Sequence, residues 1–373
     1  DKNVVTLTRN NFENVFVGDL GTVLENNYTG SESNEEQNKI YNSLKSITKD
    51  DKIKDANTEL MGQASVENQM YQQFTLNKII DRGIEKILNK RDENNNGFYV
   101  NFLGSKSEVD SKDDSIGFKG DFGGVIIGGM KNLDETTSIG GFLTYLDSHY
   151  DYKDTAKSVQ DTETWSLTGV VEKELSNNFK WTTKVGYNKN TNDVNRKITY
   201  DNSNRDVNGE FDSWSLSGST VIEYTKKIND RISLKPSAGV ILDNISQDSY
   251  NESGADGLNL NVDSSNGLSS RIGVGLEAEI SAYKNLNHEV KIIPRIDYLY
   301  ELGDPYGDKT VSMEAFSDNM DVWSRNAGRN DLNLGIDLQY EYRDNLMLFT
   351  GYSAGVLEDN KTQSVNAGFK FTF

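Results

Sequence analysis

The chain ends in the nine residues V-N-A-G-F-K-F-T-F, from Val365 to Phe373. Because successive side chains of a β-strand point to opposite faces, the apolar residues of this stretch share one face and the polar residues share the other. A Phe-rich face on an exposed edge strand would promote aggregation of a water-soluble protein. In a transmembrane barrel the same pattern is ordinary, with apolar side chains toward lipid and polar ones toward the lumen. The stretch therefore predicts a strand that closes an outer-membrane barrel.

The composition excludes several classes of function. The 373 residues include no cysteine and two histidines, which excludes a disulfide framework, a thiolate zinc site, cysteine catalysis and a His-rich metal centre. The net charge of −19 disfavours binding to nucleic acid. The mean hydropathy is −0.66, but a barrel with a polar lumen also has a low mean. We therefore expect no cofactor, no metal ion and no nucleic-acid partner.

The first part of the chain is predicted to be mostly helical. The clearest helix covers residues 66–91, where Ile and Leu recur at steps of three and four and form an apolar stripe. Its other side is basic, which is unusual in such an acidic chain. The residues assigned to this helix as functional are Leu76, Lys78, Ile80, Arg82, Ile84, Lys86, Ile87 and Lys90. We divide the chain into a mostly helical junction (1–65), a linker helix (66–93) and a barrel (94–373).

From Gly97 onward the period of the pattern is two. The predicted strands are 97–105, 115–130, 137–148, 161–175, 178–190, 211–227, 231–244, 267–282, 288–302, 328–343, 345–357 and 361–373. Connections after even-numbered strands are short, and those after odd-numbered strands are mostly long and rich in Asp, Asn and Ser. Short periplasmic turns opposite long extracellular loops are typical of outer-membrane barrels. The connection 303–329 contains T-V-S-M-E-A-F, which could extend the ninth strand above the membrane.

The polar faces of several strands carry charged residues. A polar lumen accepts such side chains, and so would the solvated outer face of a soluble β-sandwich. Aromatic residues near the strand ends fit the girdles at membrane interfaces, although the ordinary β-propensity of aromatics explains them too. The residues predicted to face the lumen are Lys184, Lys235, Arg271, Glu277, Glu279, Arg295, Asp337 and Glu341.

The order of one long helix, twelve strands and a terminal Phe resembles the C-terminal translocator domain of monomeric autotransporters (type V secretion). The resemblance covers most of the chain, including the linker-like residues 55–90 and the tail N-A-G-F-K-F-T-F. It implies a non-enzymatic translocator, embedded as a monomer in outer-membrane lipid, that secretes and anchors an N-terminal passenger at the cell surface. The passenger, an adhesin or another surface virulence factor, is expected outside this sequence, apart from a last strand at Val4 to Thr8.

The resemblance also assigns a role to the tail. In this family the closing strand is recognised by the barrel assembly machinery, and periplasmic chaperones escort the chain to it. Phe369, Phe371 and Phe373 are therefore expected to form the assembly signal. The same apolar face would afterwards lie against lipid, so recognition and burial are compatible.

The width of the barrel suggests a role for the helix. A barrel of eight strands is filled by its own side chains, and a barrel of sixteen to eighteen strands encloses a water channel. A barrel of twelve strands should therefore admit one α-helix of about 10 Å diameter. We therefore hypothesise that the linker helix fills the pore; the alternative is a helix that packs outside the barrel. Its basic side would face Glu277, Glu279, Asp337 and Glu341. A double charge reversal at Arg82 and Lys86 should then raise pore conductance.

Two other functions remain open from the sequence. One is a small porin with an N-terminal plug, which would conduct steadily and have no passenger upstream. The other is a hydrolase of the barrel rim, since His149 lies in a predicted loop among Asp147, Asp151 and Asp154, where a carboxylate can orient a general base. A solvated loop histidine is the simpler interpretation. His288 shows no partner, and no Ser–His pair for nucleophilic attack is evident.

Asp92 to Gly97 matches the first half of a calcium-binding loop. That pattern also requires a Glu at the position of Leu103, so we interpret the stretch as a turn from helix to strand at the periplasmic mouth. Some autotransporter passengers are cut near paired asparagines within the barrel. The run Asn94 to Asn96 lies past the helix, so cleavage is not predicted there.

Overall fold

The structure is a computed structural model that describes residues 9–30, 33–47, 49–88, 96–112, 115–176, 178–200, 204–326, 328–343, 345–358 and 360–372. The helices are α1 (Asp19–Asn26), α2 (Glu35–Lys45), α3 (Asp50–Leu60), α4 (Gln63–Val66) and α5 (Gln69–Leu88). Short 3-10 turns lie at Phe12–Asn14 and Asp256–Leu258. The strands are β1 (Gly97–Val109), β2 (Phe118–Asn132), β3 (Thr137–Tyr152), β4 (Val159–Ser176), β5 (Phe179–Ile198), β6 (Arg205–Tyr224), β7 (Lys226–Asn229), β8 (Ile232–Gln247), β9 (Tyr250–Asn251), β10 (Leu260–Val262), β11 (Ser265–Lys284), β12 (His288–Glu301), β13 (Lys309–Met313), β14 (Asn319–Val322), β15 (Asn330–Tyr342), β16 (Leu346–Leu357) and β17 (Asn360–Thr372).

Twelve long strands form one closed antiparallel barrel. Each pairs with its neighbour in chain order, in the sequence β1, β2, β3, β4, β5, β6, β8, β11, β12, β15, β16, β17. The closing strand β17 pairs with β1 from Gly97↔Thr372 to Val109↔Asn360, and the short β7 pairs with the start of β8. The predicted twelve-stranded antiparallel barrel with an N-terminal helical segment is therefore confirmed. Among the described residues, no helix is both long enough and apolar enough to span a membrane.

Several strands extend further on the extracellular side than the sequence pattern predicts. β5 and β6 each contain 20 residues, whereas about ten tilted residues suffice to cross the membrane. Outward-facing aromatic residues mark the upper edge of the apolar band, namely Trp165, Tyr187 and Trp214. Above that edge the outward face becomes polar and exposed, and the inward face becomes apolar and buried. The inward residues of this upper part are Val194, Ile198, Val207 and Phe211.

A folded domain sits on the extracellular ends of these strands. We call it the cap; it consists of residues 12–30, 33–47 and 49–66, the small sheet β14-β13-β10-β9 and the upper ends of β5 and β6. Its core contains apolar residues of the helices, such as Leu20, Leu24, Ile40, Tyr41 and Leu60, together with residues of the barrel strands and loops, such as Ile198, Val207, Leu260, Met313 and Phe316. The N-terminal helices and the barrel thus complete one hydrophobic core between them.

The expectation that T-V-S-M-E-A-F extends the ninth strand is wrong. Lys309 to Met313 form β13, which pairs with β10 and β14 above the barrel. Val311 and Met313 are buried in the cap core. A lone strand that projected into water could not bury these side chains, so burial favours the separate sheet.

Candidate functional site

Helix α5 lies inside the barrel, and its apolar stripe packs on one wall of the lumen. The stripe residues are Leu76, Ile79, Ile80, Ile84, Ile87 and Leu88, and the wall residues include Tyr99, Phe122, Ile126, Phe142 and Phe349. The packing is tight at Gly83, where an added Cβ would lie 2.6 Å from Ile126 Cδ1. Asn101 of β1 donates from Nδ2 to the Gly83 carbonyl oxygen at 3.1 Å. A larger side chain at this position would push the helix off the wall.

The basic side of the helix faces β15 and β17. Lys78 Nζ lies 3.0 Å from Asp331 Oδ2, and Arg82 Nη2 lies 3.2 Å from the same atom. Lys86 Nζ donates to Asn366 Oδ1 at 2.9 Å and lies 4.0 Å from Asp337 Oδ1. Lys90 lies outside the described residues. Asp331, the shared partner of two helix cations, is a functional residue that the sequence reasoning missed.

Three of the four predicted acidic partners do not meet these cations. Lys235 Nζ lies 3.5 Å from Glu277 and 2.8 Å from Glu279, and Lys291 Nζ lies 3.0 Å from Glu341. These acids are paired across neighbouring strands by wall cations, so the predicted contacts with Lys78, Arg82 and Lys86 are wrong, whereas contacts with Lys90 stay a prediction. Cations on neighbouring strands can pair with these acids over a shorter distance than cations of a helix on the opposite wall could.

The helix also carries two carboxylates that sequence reasoning overlooked. Lys184 Nζ lies 2.5 Å from Asp81 Oδ1 and 3.1 Å from Glu85 Oε1. Arg295 Nη2 lies 3.2 Å from Glu85 Oε2. All eight side chains predicted to face the lumen are buried or half-buried in the structure. The sequence signal for these ion pairs was the four-residue spacing of Asp81 and Glu85, two acids on an otherwise basic helix.

The joint between α4 and α5 centres on a buried carboxylate. Glu67 is 1% exposed, and it accepts hydrogen bonds from the Ile116 main-chain N–H and from Gln63 Nε2. The N–H of Arg325 donates to the Glu67 main-chain carbonyl at 2.9 Å. Glu67 therefore ties the helix to two extracellular loops of the barrel.

We predict that this joint loosens as the pH rises. Burial raises the pKa of Glu67 to about 7, against the opposing effects of its hydrogen bonds and the Arg325 charge. Because the folded state holds this proton more tightly than the unfolded chain, the stabilisation is complete below the ordinary pKa near 4.5 and is lost as the pH rises through about 7. The difference is on the order of 3 kcal/mol.

Hydrogen exchange of residues 62–68 between pH 5.5 and 8.5 measures this effect. The amide exchange rate of these residues should increase toward pH 8.5 by a larger factor than base catalysis produces in an unstructured peptide. The variant Glu67→Gln keeps hydrogen-bond acceptors but cannot ionise, so its excess pH dependence should disappear. An unchanged pH dependence in that variant would assign the effect to another group.

The two histidines have structural partners. His149 lies on strand β3 and not in the predicted loop, because β3 continues to Tyr152. Its Nδ1 is 2.6 Å from Asp161 Oδ1, and its Nε2 is 3.6 Å from Asp151 Oδ1. His288 Nδ1 lies 2.8 Å from Tyr340 Oη, across the β12–β15 pair. Among the described residues, no three His, Cys, Asp or Glu side chains converge on a possible metal site.

The closing strand places its phenylalanines on the outer surface. Phe371 is 51% exposed and pairs with Phe98 of β1 and Leu346 of β16. Phe369 is half-buried and pairs with Val100 and Leu348. Phe373 lies outside the described residues. An apolar ladder thus runs across the seam where the barrel closes, on the side that faces lipid.

Comparisons with known proteins agree with this geometry. Residues 98–353 match the family model of the autotransporter beta-domain. The translocator domain of autotransporter NalP from Neisseria meningitidis superimposes with a TM-score of 0.67 at 12% identity, covering 83% of this chain and 100% of that one. The beta domain of the Bordetella autotransporter BrkA gives 0.56 at 12% identity, with 75% and 100% covered. The transport unit of AIDA-I from Escherichia coli gives 0.51 at 14% identity, with 77% and 92% covered.

A search of curated proteins gave no significant sequence match. The structural likenesses at such low identity show the fold, whereas the family model spans more than half of the chain and shows its membership. A closed twelve-stranded barrel around one helix, with a family match over most of its strands, defines the chain: it belongs to the autotransporter β-domain family and is an outer-membrane translocator.

Proposed function

We propose that this barrel secretes an N-terminal passenger and then stays closed around α5, which anchors the passenger at the cell surface. The observation that carries the proposal is the direction of the chain through the lumen. Helix α5 starts at Gln69, beneath the cap, and its last residue Leu88 is followed by the barrel strand that begins at Gly97. The described residues that precede Gln69 lie on the far side of the pore from the start of β1.

The division of the chain follows from the same proposal. Residues 1–65 are the junction at the end of the passenger, residues 66–93 are the linker that threads the lumen, and residues 94–373 are the barrel. The cap core supports this division, because helices of the junction are completed by barrel residues such as Ile198 and Val207. We propose that the passenger beyond the junction is an adhesin or another surface factor.

The remaining assignments concern assembly and catalysis. We propose outer-membrane lipid, the barrel assembly machinery and periplasmic chaperones as partners, and a monomeric barrel. The lipid-facing Phe369 and Phe371 support recognition of the closing strand. A rim hydrolase has less support: His149 does pair with a carboxylate, that of Asp161, but its described side-chain partners include no hydroxyl nucleophile. A steadily open porin has less support because α5 is in contact with several luminal strands.

An epitope tag placed before residue 9 tests the proposal in a Gram-negative host. Antibody added to intact cells should bind this tag, because the junction is at the cell surface. A control tag in the turn between β2 and β3, at residues 133–135, should bind antibody only after the outer membrane is permeabilised. A heat-modifiable barrel whose upstream tag stays hidden in intact cells would refute secretion through the lumen.

Conductance tests the closed state independently. The full chain in planar bilayers should be nearly silent, whereas a variant lacking residues 12–88 should open. If the full chain and the truncated chain conduct equally, the plug is wrong and a porin is favoured.

A further inference from the structure

We infer that the pore is sealed at its extracellular half by a collar of side chains around residues 69–78 of α5, and that the periplasmic half beside the helix is a charged, hydrated vestibule. The inference rests on the proposed function, since it assigns the seal of a plugged translocator to one level of the lumen. The collar is defined by the side chains that contact residues 69–78. The vestibule is the cavity beside residues 78–88.

The burial of the helix changes at Lys78. From Gln69 to Asn77 every residue is at most 5% exposed, so the helix is covered on all sides. Beyond Asn77 the half-buried residues are Lys78, Asp81, Arg82 and Glu85. Steps of three and four residues place these four on one face. The lower part of the helix therefore has one face that the barrel does not cover.

The collar draws polar partners from strands around the whole barrel. Gln72 Nε2 donates to Tyr152 Oη of β3 at 2.9 Å. Asn190 of β5 donates to Gln73 Oε1 at 2.6 Å. The other collar bonds join Gln69 to Gln247 of β8 at 2.9 Å, Asn77 to Asn188 of β5 at 2.8 Å, Lys78 to Asp331 of β15 at 3.0 Å, and Tyr71 to Asn360 of β17.

Apolar contacts close the remaining side of the collar. Met70 and Phe74 cluster with Ile245 of β8 and with Tyr306, and the Phe74 and Tyr306 rings meet edge to face at 5.6 Å. On β11, an added Cβ at Gly267 would lie 3.3 Å from Met70 Sδ and 3.4 Å from Phe74 Cζ. Strands on every side of the lumen thus contact the helix within three turns. Such close packing leaves no continuous path for hydrated ions between the described residues of the collar.

The vestibule has the opposite character. It is a cavity of about 120 Å³ between α5 and strands β5, β6, β8, β11 and β12, large enough for several water molecules. Its lining mixes both signs of charge, including Lys180, Glu223, Lys235 and Glu277. Lys180 and Glu223 lie one residue from the periplasmic ends of β5 and β6. Charged side chains are costly to bury without water, so this lining favours hydration.

The free space beside the helix is smaller next to the collar. A separate cavity of about 30 Å³ lies beside Asn77 and Ile80, and another of about 20 Å³ lies beside Tyr71 and Phe74, so each can hold only one or two waters. Ions that enter from the periplasm should therefore reach Lys184 and stop below Asn77. The apolar and amide contacts above form the barrier, and the salt bridges of the lower helix hold its position.

Single cysteines test the two levels directly, because the chain contains none. Ser237 lines the vestibule, whereas Ser215 donates to Asn77 Oδ1 at 2.9 Å within the collar. A small cationic thiosulfonate applied to outer-membrane vesicles should modify Ser237→Cys from the periplasmic side alone. Ser215→Cys should stay unmodified from either side until the protein is unfolded. Equal modification rates at both positions, or modification of Ser237→Cys from the extracellular side, would overturn the inference.

Conductance of full-length variants gives a second test. Phe74→Ser opens the apolar side of the collar and should raise the conductance severalfold over the closed wild type. The control pair Lys235→Met and Glu277→Gln alters the vestibule, which is already hydrated, and should stay as silent as the wild type. If the control pair opens the pore as much as Phe74→Ser, the seal does not lie at the collar. If the wild type itself conducts, the proposed function fails instead.

Discussion

Serine at both Phe369 and Phe371 should nearly abolish the assembled barrel in cells. The two rings lie on the outer face of the closing strand, and Phe371 is 51% exposed on the barrel surface. Each ring contributes about 2 kcal/mol when it is buried in lipid. Loss of the pair would weaken the seam with β1 and, on the proposed role, would also remove the signal that the assembly machinery reads. The heat-modifiable fraction in the outer membrane should fall by an order of magnitude or more.

A matched control separates recognition from burial in lipid. Phe98 and Phe102 lie on β1, across the same seam, and are 42% and 57% exposed. Phe98→Ser with Phe102→Ser therefore removes a similar lipid-facing area from a strand other than the closing strand. In cells this control should assemble far better than the β17 variant, whereas refolding into detergent micelles should be similar for both. Equal defects in cells would mean that the closing strand serves burial alone.

The barrel strands could be predicted because a single rule governs the part within the membrane. Apolar residues face lipid, polar residues face the lumen, and twelve such runs give twelve strands. The rule applies only to the part of each strand that lies within the membrane. In β5 the apolar residues shift from odd positions, such as Val185 and Tyr187, to even ones, Val194 and Ile198. The predicted strand ends at residue 190, before this change of phase.

That change of phase was itself a signal for the cap. An apolar inward face above the membrane requires apolar material to cover it, and the N-terminal helices supply Leu20, Leu24 and Leu60. Period-two patterning cannot say which distant segment covers a face, since long-range pairing is not encoded locally. For the same reason the luminal charges could be identified from strand alternation, but their partners could not. Glu341 could have faced the helix, yet Lys291 lies nearer, at 3.0 Å.

Charge reversal at Asp331 should dislodge the helix and open the pore. Asp331 is buried and receives both Lys78, at 3.0 Å, and Arg82, at 3.2 Å. Asp331→Lys would place three cations together at a buried position of the wall. Loss of one partner from a buried ion pair costs about 3–5 kcal/mol, and like charges add to this cost. Helix α5 should then be displaced from the lumen in part of the population. The conductance in planar bilayers should rise well above that of the closed wild type.

The rescue variant decides whether this contact acts through the helix. The double variant Lys78→Glu with Arg82→Glu reverses both helix cations and should by itself open the pore. When it is combined with Asp331→Lys, the opposite charges are restored and the pore should be closed. Glu341→Lys serves as the control, because Glu341 pairs with Lys291 between neighbouring strands. This control changes the same luminal charge by the same amount without touching α5, so it should remain closed. If the pore of Glu341→Lys conducts, the net charge of the lumen is the cause of opening. If the triple variant still conducts, the contact of Asp331 with Lys78 and Arg82 does not hold the helix in position.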